Sequence, residues 1–153
     1  MKTLFFSILI LFTFGLSAQN TEADILQVAK QLFVAMETND STLAASLFVE
    51  DAQLHTVFKN KDGKTQLANM PASKLVSAFA KPKDQTWREP IWNEKIHIDG
   101  DFATLWVDYA FYVDDTFMHC GVDAFQMIRK EGKWKIFSIT DTRRKEGCEV
   151  PNE

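Results

Sequence analysis

The chain has 153 residues, 46% of them apolar and 25% charged, a balance that supports one domain with a packed core and argues against disorder. The formal charge is −4 and there is no basic tract, which speaks against a nucleic-acid-binding surface. Only two cysteines are present, so a zinc site built from cysteines alone is excluded.

The first 18 residues differ in kind from the rest. Met1-Lys2 gives a short basic start, Leu4 to Leu16 is almost wholly Leu, Phe and Ile, and Ser17-Ala18 supplies small residues before the polar Gln19-Asn20. That pattern predicts a signal peptide over residues 1–18, cleaved near Ala18, and hence an exported protein, periplasmic or secreted. The run is too short to span a bilayer, which takes about 20 residues, so no integral membrane segment is expected after cleavage. Losing Lys2 leaves 16 basic against 21 acidic residues, a charge of −5. In an oxidising compartment Cys120 and Cys148 can close a disulfide; the alternative is a buried Cys120 and a free Cys148 in a loose tail.

From Asn20 or Thr21 the apolar residues Ile25, Val28, Ala29, Leu32, Phe33 and Met36 recur at helical spacing, with Glu22 and Asp24 in the first turn where the helix dipole favours acid. Asn39 is a stop, and Asp40 or Ser41 restarts a short second helix with Leu43, Leu47 and Phe48 inward. Glu50-Asp51 reads as a turn, Ala52 to Phe58 as a short strand, and Lys59 to Thr65 as a hairpin-like loop. Pro71 opens a third helix carrying Leu75, Val76 and Phe79. Thr86 to Ile98 is a strand that Pro90 must bulge or confine to an edge.

The last third holds three long strand candidates beginning at Phe102, Thr116 and Lys133, rich in aromatic and β-branched residues. Tight turns at Asp99-Gly100, Asp114-Asp115 and Glu131-Gly132 precede them. The expected fold is α+β: a strongly bent antiparallel sheet of about four long strands and a short one, wrapped around three N-terminal helices. Residues 20–144 form the domain and residues 145–153 a polar tail.

Two-residue turns fix which side chains share a face. One face then carries Trp92, Ile96, Ala103, Leu105, Val107, Tyr109, Phe111, Met118, Cys120, Val122, Ala124, Ile128, Phe137 and Ile139, with Glu94, Gln126, Asp141 and Arg143 among them. Polar groups in apolar company need partners or a ligand, so this face is the candidate pocket wall. The other carries Asn93, Lys95, Thr104, Trp106, Asp108, His119, Asp123, Phe125, Ile136, Thr140 and Thr142. It suits a solvated sheet partly covered by a second copy of the chain. A single bulge would exchange parts of these two sets.

Taken in order, the first amphipathic helix, the Leu47–Ala52 segment LFVEDA, Gly100–Ala103, the His119–Phe125 segment HCGVDAF and Gly132–Ile136 (GKWKI) are similar to the nuclear transport factor 2-like superfamily, the cystatin-like cone. They look closest to its exported bacterial branch labelled putative lumazine-binding or SnoaL-like. The resemblance spans residues 20–144. It implies a cone-shaped pocket between helices and sheet, frequently a homodimer through the sheet face, and, in members that are enzymes, a carboxylate or histidine inside the cone. It fixes no reaction, because the fold hosts isomerases, dehydratases, cyclases and non-catalytic modules.

Within that frame the pocket candidates are His55, Trp92, Tyr109, Gln126, Asp141 and Arg143. Asp141 is the best candidate general base, since an apolar wall raises a carboxyl's pKa, although Arg143 beside it would act in the opposite sense. His55 is the second; each has an ordinary structural alternative, a rim salt bridge and a satisfied histidine. Tyr109 and Trp92 can stack on a flat ligand or serve as core aromatics. His119 and Asp123, four residues apart on a strand, are separated by about 13 Å and form no dyad, and with His97 they make no compact metal site. No metal and no cofactor is expected. Three functions stay open: a binding or interaction module for a small apolar or flat heterocyclic ligand, an isomerase-, dehydratase- or cyclase-type enzyme, and a structural dimer with a filled pocket.

Overall fold

A computed structural model describes residues 21–81 and 84–151. The expected signal peptide, residues 1–18, lies outside the described residues. Helix α1 (Thr21–Thr38) buries Ile25, Ala29, Leu32 and Met36 of the sequence stripe, together with Ala35, while Val28 and Phe33 of that stripe are half-buried against the core. Asn39 ends it with φ +57°, a conformation Asn tolerates better than most residues. Asp40 then caps α2 (Ser41–Leu47), its Oδ1 accepting the Leu43 amide at 2.8 Å. Helix α3 (Ala72–Phe79) follows Pro71 and buries Phe79.

The described residues also form seven strands: β1 (Phe48–Lys59), β2 (Thr65–Pro71), β3 (Trp87–Arg88), β4 (Ile91–Asp99), β5 (Phe102–Val113), β6 (Thr116–Lys130) and β7 (Lys133–Thr142). The sheet runs β2-β1-β7-β6-β5, and β3 and β4 share the remaining edge of β5. The sheet is strongly curved and unclosed, and the helices lie against its concave face, where Leu105, Val107, Tyr109, Phe125, Met127 and Ile136 are fully buried with Ile25 and Phe79. Each large apolar side chain so buried contributes on the order of 2 kcal/mol.

The α+β architecture agrees with the sequence; several details do not. The sheet is not wholly antiparallel, because β1 runs parallel to β7, Leu54 beside Ile139 and Thr56 beside Asp141. Lys59 to Thr65 does turn a hairpin, but it leads into β2, which the sequence reading omitted. Glu50-Asp51 lies inside β1, not in a turn, at a place where the register shifts. The β4–β5 turn is Gly100-Asp101, one residue later than expected, since Asp99 pairs with Phe102.

The largest correction concerns faces. Val113 pairs with Thr116 and Tyr112 with Phe117 as a two-residue turn demands, but Phe111 then pairs with His119, leaving Met118 as an extra residue. That bulge turns the rest of β6 over. His119, Asp123, Phe125 and Met127 share the concave face, whereas Gln126 is exposed on the convex one. Ile136 pairs with Met127 and so follows it inside; a second bulge, at Phe137, comes after that pair. It restores Ile139 and Asp141 to the face the sequence assigned them. A third, at Asn93 and Glu94 where Asn93 has φ +56°, pairs Trp92 with Asp108 and takes Trp92 off the concave face.

Cys120 and Cys148 are joined by a disulfide. Cys120 and Arg144 also exchange two backbone hydrogen bonds of 2.9 Å. The segment after β7 is therefore tied to β6 and does not hang loose. Among the described residues no helix is long and apolar enough to cross a membrane.

Candidate functional site

Between helices and sheet lies a cavity of about 120 Å³. Its body is apolar: Leu32, Phe33 and Met36 from α1, Phe79 from α3, Leu54 from β1 and Phe125 from β6. Its other end gathers Glu89, Tyr109, His119, Asp123, Asp141 and Arg143, with Thr56. Such convergence of polar groups at one end of an apolar hollow is the general form of a small-molecule site.

Glu89 occupies the break between β3 and β4. Pro90 has no N–H to continue the ladder, and its carbonyl instead accepts from the Ala110 amide at 3.2 Å. The break lets the Glu89 carboxyl enter the interior. There it lies beside the carboxyl of Asp123, a residue only 4% exposed, close enough for a hydrogen bond between the two once one is protonated. Burial raises the pKa of Glu89 well above its usual value, and the Asp123 charge and hydrogen bond raise it further. Burial and then the charge of Asp141 raise Asp123, partly offset by its bond to Glu89 and by Arg143. Two carboxyl groups side by side cannot both ionise cheaply, so the pair retains at least one proton at neutral pH, and the raised pKa of both favours a second.

Asp141 is differently placed. The Thr56 hydroxyl donates to Oδ1 at 2.6 Å, Arg143 Nε donates to Oδ2 at 2.7 Å, and the Tyr109 hydroxyl lies 3.4 Å from Oδ2. Both oxygens are thus occupied. Burial works against the Arg143 charge, but the Asp141 hydrogen bond and charge outweigh it and raise the guanidinium pKa. Tyr109 donates its main hydrogen bond to the Thr142 carbonyl at 2.8 Å, and burial followed by the surrounding carboxylates pushes its own ionisation far up. His119 packs its ring edge-on to Tyr109 at 5.8 Å and against Phe111 at 5.1 Å. Burial, then Arg143, lowers its pKa, so its imidazole is neutral at pH 7.

Gly121 is what allows β6, β7 and Tyr109 to meet. A Cβ there would sit 1.8 Å from the Thr142 carbonyl oxygen and 2.9 Å from Tyr109 Cε1. No positive φ is involved; the requirement is close approach.

Of the sequence candidates, Tyr109, Asp141 and Arg143 meet at the polar end. His55 borders the cavity, but strand alternation sets its side chain opposite to those of Leu54 and Thr56. Trp92 lies with Asp108, Cys120 and Gly147 on the far side of the sheet, and Gln126 with Trp106 and Lys95 on the convex face. Neither reaches the cavity. Glu89, Thr56, His119 and Asp123 were missed as site residues. His119 and Asp123 had been assigned to the other face, and the Met118 bulge is the reason they are inside. The signal for Glu89 was its place before Pro90. Among the described residues, no group of histidine, cysteine and carboxylate side chains is arranged to hold a metal ion.

The fold is the cystatin-like, nuclear transport factor 2-like cone. A protein of unknown function with a cystatin-like fold from Nostoc punctiforme superposes with TM-score 0.63 at 16% identity, covering 82% of this chain and 92% of that one. An NTF2-like protein from Cytophaga hutchinsonii gives 0.63 at 18%, covering 82% and 100%. The β subunit of a putative aromatic-ring-hydroxylating dioxygenase from Novosphingobium aromaticivorans gives 0.66 at 14%, covering 80% and 88%. Identities this low establish the fold alone. Residues 20–140 match the family described as putative lumazine-binding, and the chain belongs to that family. No curated protein matches it in sequence.

Proposed function

We propose that the chain is an exported small-molecule-binding module whose ligand enters the cone and is read by the Glu89–Asp123 pair. The observation that carries this is an apolar cavity whose polar end holds two neighbouring carboxyl groups, Glu89 and Asp123, both with raised pKa. With one proton bridging the two carboxyls and a second retained because both pKa values are raised, the pair offers a free O–H donor beside a carboxyl oxygen that accepts. Its complement is the edge of a cyclic amide or imide, N–H beside C=O, on a flat heterocycle. The family description, putative lumazine-binding, supports the same ligand class. The Cys120–Cys148 disulfide supports export. Trp106 and Phe102, 48% and 43% exposed, support a second copy of the chain covering the convex sheet face.

Catalysis by Asp141 as general base is disfavoured, because Thr56 and Arg143 already occupy its oxygens. The test is fluorescence titration with lumazine on the wild-type protein and on Asp123→Asn, alongside native mass spectrometry of protein from the exported fraction. Saturable binding that weakens at least about tenfold in the variant is expected, the cost of one mismatched buried hydrogen-bonding group. A clean apo mass together with no saturable lumazine binding would refute the assignment.

A further inference from the structure

Outside the cavity lies an open cleft of about 1090 Å³. Thr56, His119 and Arg143 line both spaces and form the neck between them. The outer cleft is cationic: among the described residues Lys59, Arg143, Arg144 and Lys145 line it, against one acidic lining residue, Glu146. This is notable in a chain of net charge −4. Lys59 comes from the end of β1, whereas Arg144 and Lys145 come from the segment after β7. That segment is held in place by the Cys120–Arg144 backbone pair and the Cys120–Cys148 disulfide. Arg143 contacts Asp141 through Nε, which leaves its two terminal nitrogens outside that bond.

We propose that this cleft is an anion-recognising vestibule to the cavity, and that the ligand is a ring-sized molecule bearing a carboxylate or similar anionic group. The ring occupies the cavity and the anion stays in the vestibule, near the guanidinium of Arg143. Size limits the buried part to about one ring, since the cavity of about 120 Å³ is a little smaller than the ~150 Å³ that takes a benzene ring. Charge agrees, since a cationic cleft raises the local concentration of anionic ligands and speeds their capture. The inference rests on the binding function proposed for the cavity.

The test uses two probes of one shape, 4-fluorobenzoate and its uncharged partner 4-fluorobenzamide, followed by fluorine NMR titration. At low salt, about 10 mM, where exposed charges are felt over about 30 Å, the benzoate binds about tenfold tighter than the benzamide, and the gap closes as salt rises. Lys59→Glu/Arg144→Glu/Lys145→Glu abolishes the gap and leaves benzamide binding intact, which also shows that the variant is folded. Should the triple variant fail to fold, Lys145→Glu alone narrows the gap in the same direction. Leu54→Phe, which intrudes on the cavity, weakens both probes. Equal binding of the two probes, or a gap indifferent to the charge reversals, overturns the vestibule and leaves the cavity function standing. Benzoate binding that survives Leu54→Phe but falls with the charge reversals overturns the cavity function and the joint site with it. No shift with either probe overturns both.

Discussion

Gly121→Ala adds one methyl group at the point where β6 passes β7. Its Cβ would lie 1.8 Å from the Thr142 carbonyl oxygen and 2.8 Å from the carbonyl carbon. Ordinary contact is near 3.5 Å, so the two strands must part by roughly 1.5 Å. Three interactions oppose the movement. Tyr109 donates to the same carbonyl at 2.8 Å, Val122 N donates to Thr142 Oγ1 at 3.1 Å, and Cys120 and Arg144 exchange 2.9 Å bonds one residue away. Breaking the Tyr109 bond alone strands a buried hydroxyl, at about 1–3 kcal/mol. Strain from an added methyl in close-packed surroundings adds about 1–3 kcal/mol. The expected loss is about 3–5 kcal/mol, a large part of a small domain's stability. Equilibrium urea denaturation with the disulfide intact measures it, and Ala103→Gly, at another fully buried strand position, gives a reference for backbone effects. A loss below about 1 kcal/mol for Gly121→Ala would refute the close-approach reasoning.

The Glu89–Asp123 pair makes stability fall as pH rises. A carboxyl pKa raised on folding stabilises fully below the unfolded value, near 4, and its contribution is lost as pH climbs through the raised range above it. Urea midpoints from acid to mildly alkaline pH should therefore decline less steeply in Asp123→Asn than in wild type; parallel curves would contradict the raised pKa of the buried carboxyls. Replacing Cys120 and Cys148 by Ser should cost about 3.5 kcal/mol by loop entropy for a separation of 28 residues, read by thermal unfolding. Phe79→Ala, in a fully buried position against the core, should cost about 3–5 kcal/mol; a loss under 1 kcal/mol would mean that α3 does not seal the cavity. The His119 imidazole should titrate below the ordinary histidine value when followed by NMR, and replacing Arg143 with Gln should move it upward.

How legible the molecule was depended on whether local rules sufficed. The stripe Ile25, Ala29, Leu32, Met36 follows from helical periodicity, and all four residues are buried. The concave face of β5, Ala103 to Tyr109, follows from alternation. The site depends on three bulges, and nothing in the local sequence marks them strongly. One extra residue at Met118 converts His119 and Asp123 from convex to concave. The placement of Asp141 was correct only because the Phe137 bulge cancels the Met118 bulge across two strand pairings. Glu89 could be placed only once Pro90 was known to divide β3 from β4. Arg143 and Asp141 shared a face in sequence, but which oxygens were occupied, and by which donors, is a property of β1 lying beside β7. No spacing rule reaches 85 residues from Thr56 to Asp141.

That parallel pairing also dictates an order of assembly. β1 is synthesised early, yet among the described strands its only sheet neighbour besides β2 is β7, the last of them. Until β7 arrives, the β1–β2 hairpin has no edge to join, and a chain stopped before Asp141 keeps the helices and most of the sheet without a complete polar end to its cavity. Contacts so distant in sequence form late and slow the search for the native state. The Thr56–Asp141–Arg143 cluster at the polar end of the cavity therefore forms only once β7 lies beside β1, after the other described strands that surround it have been made.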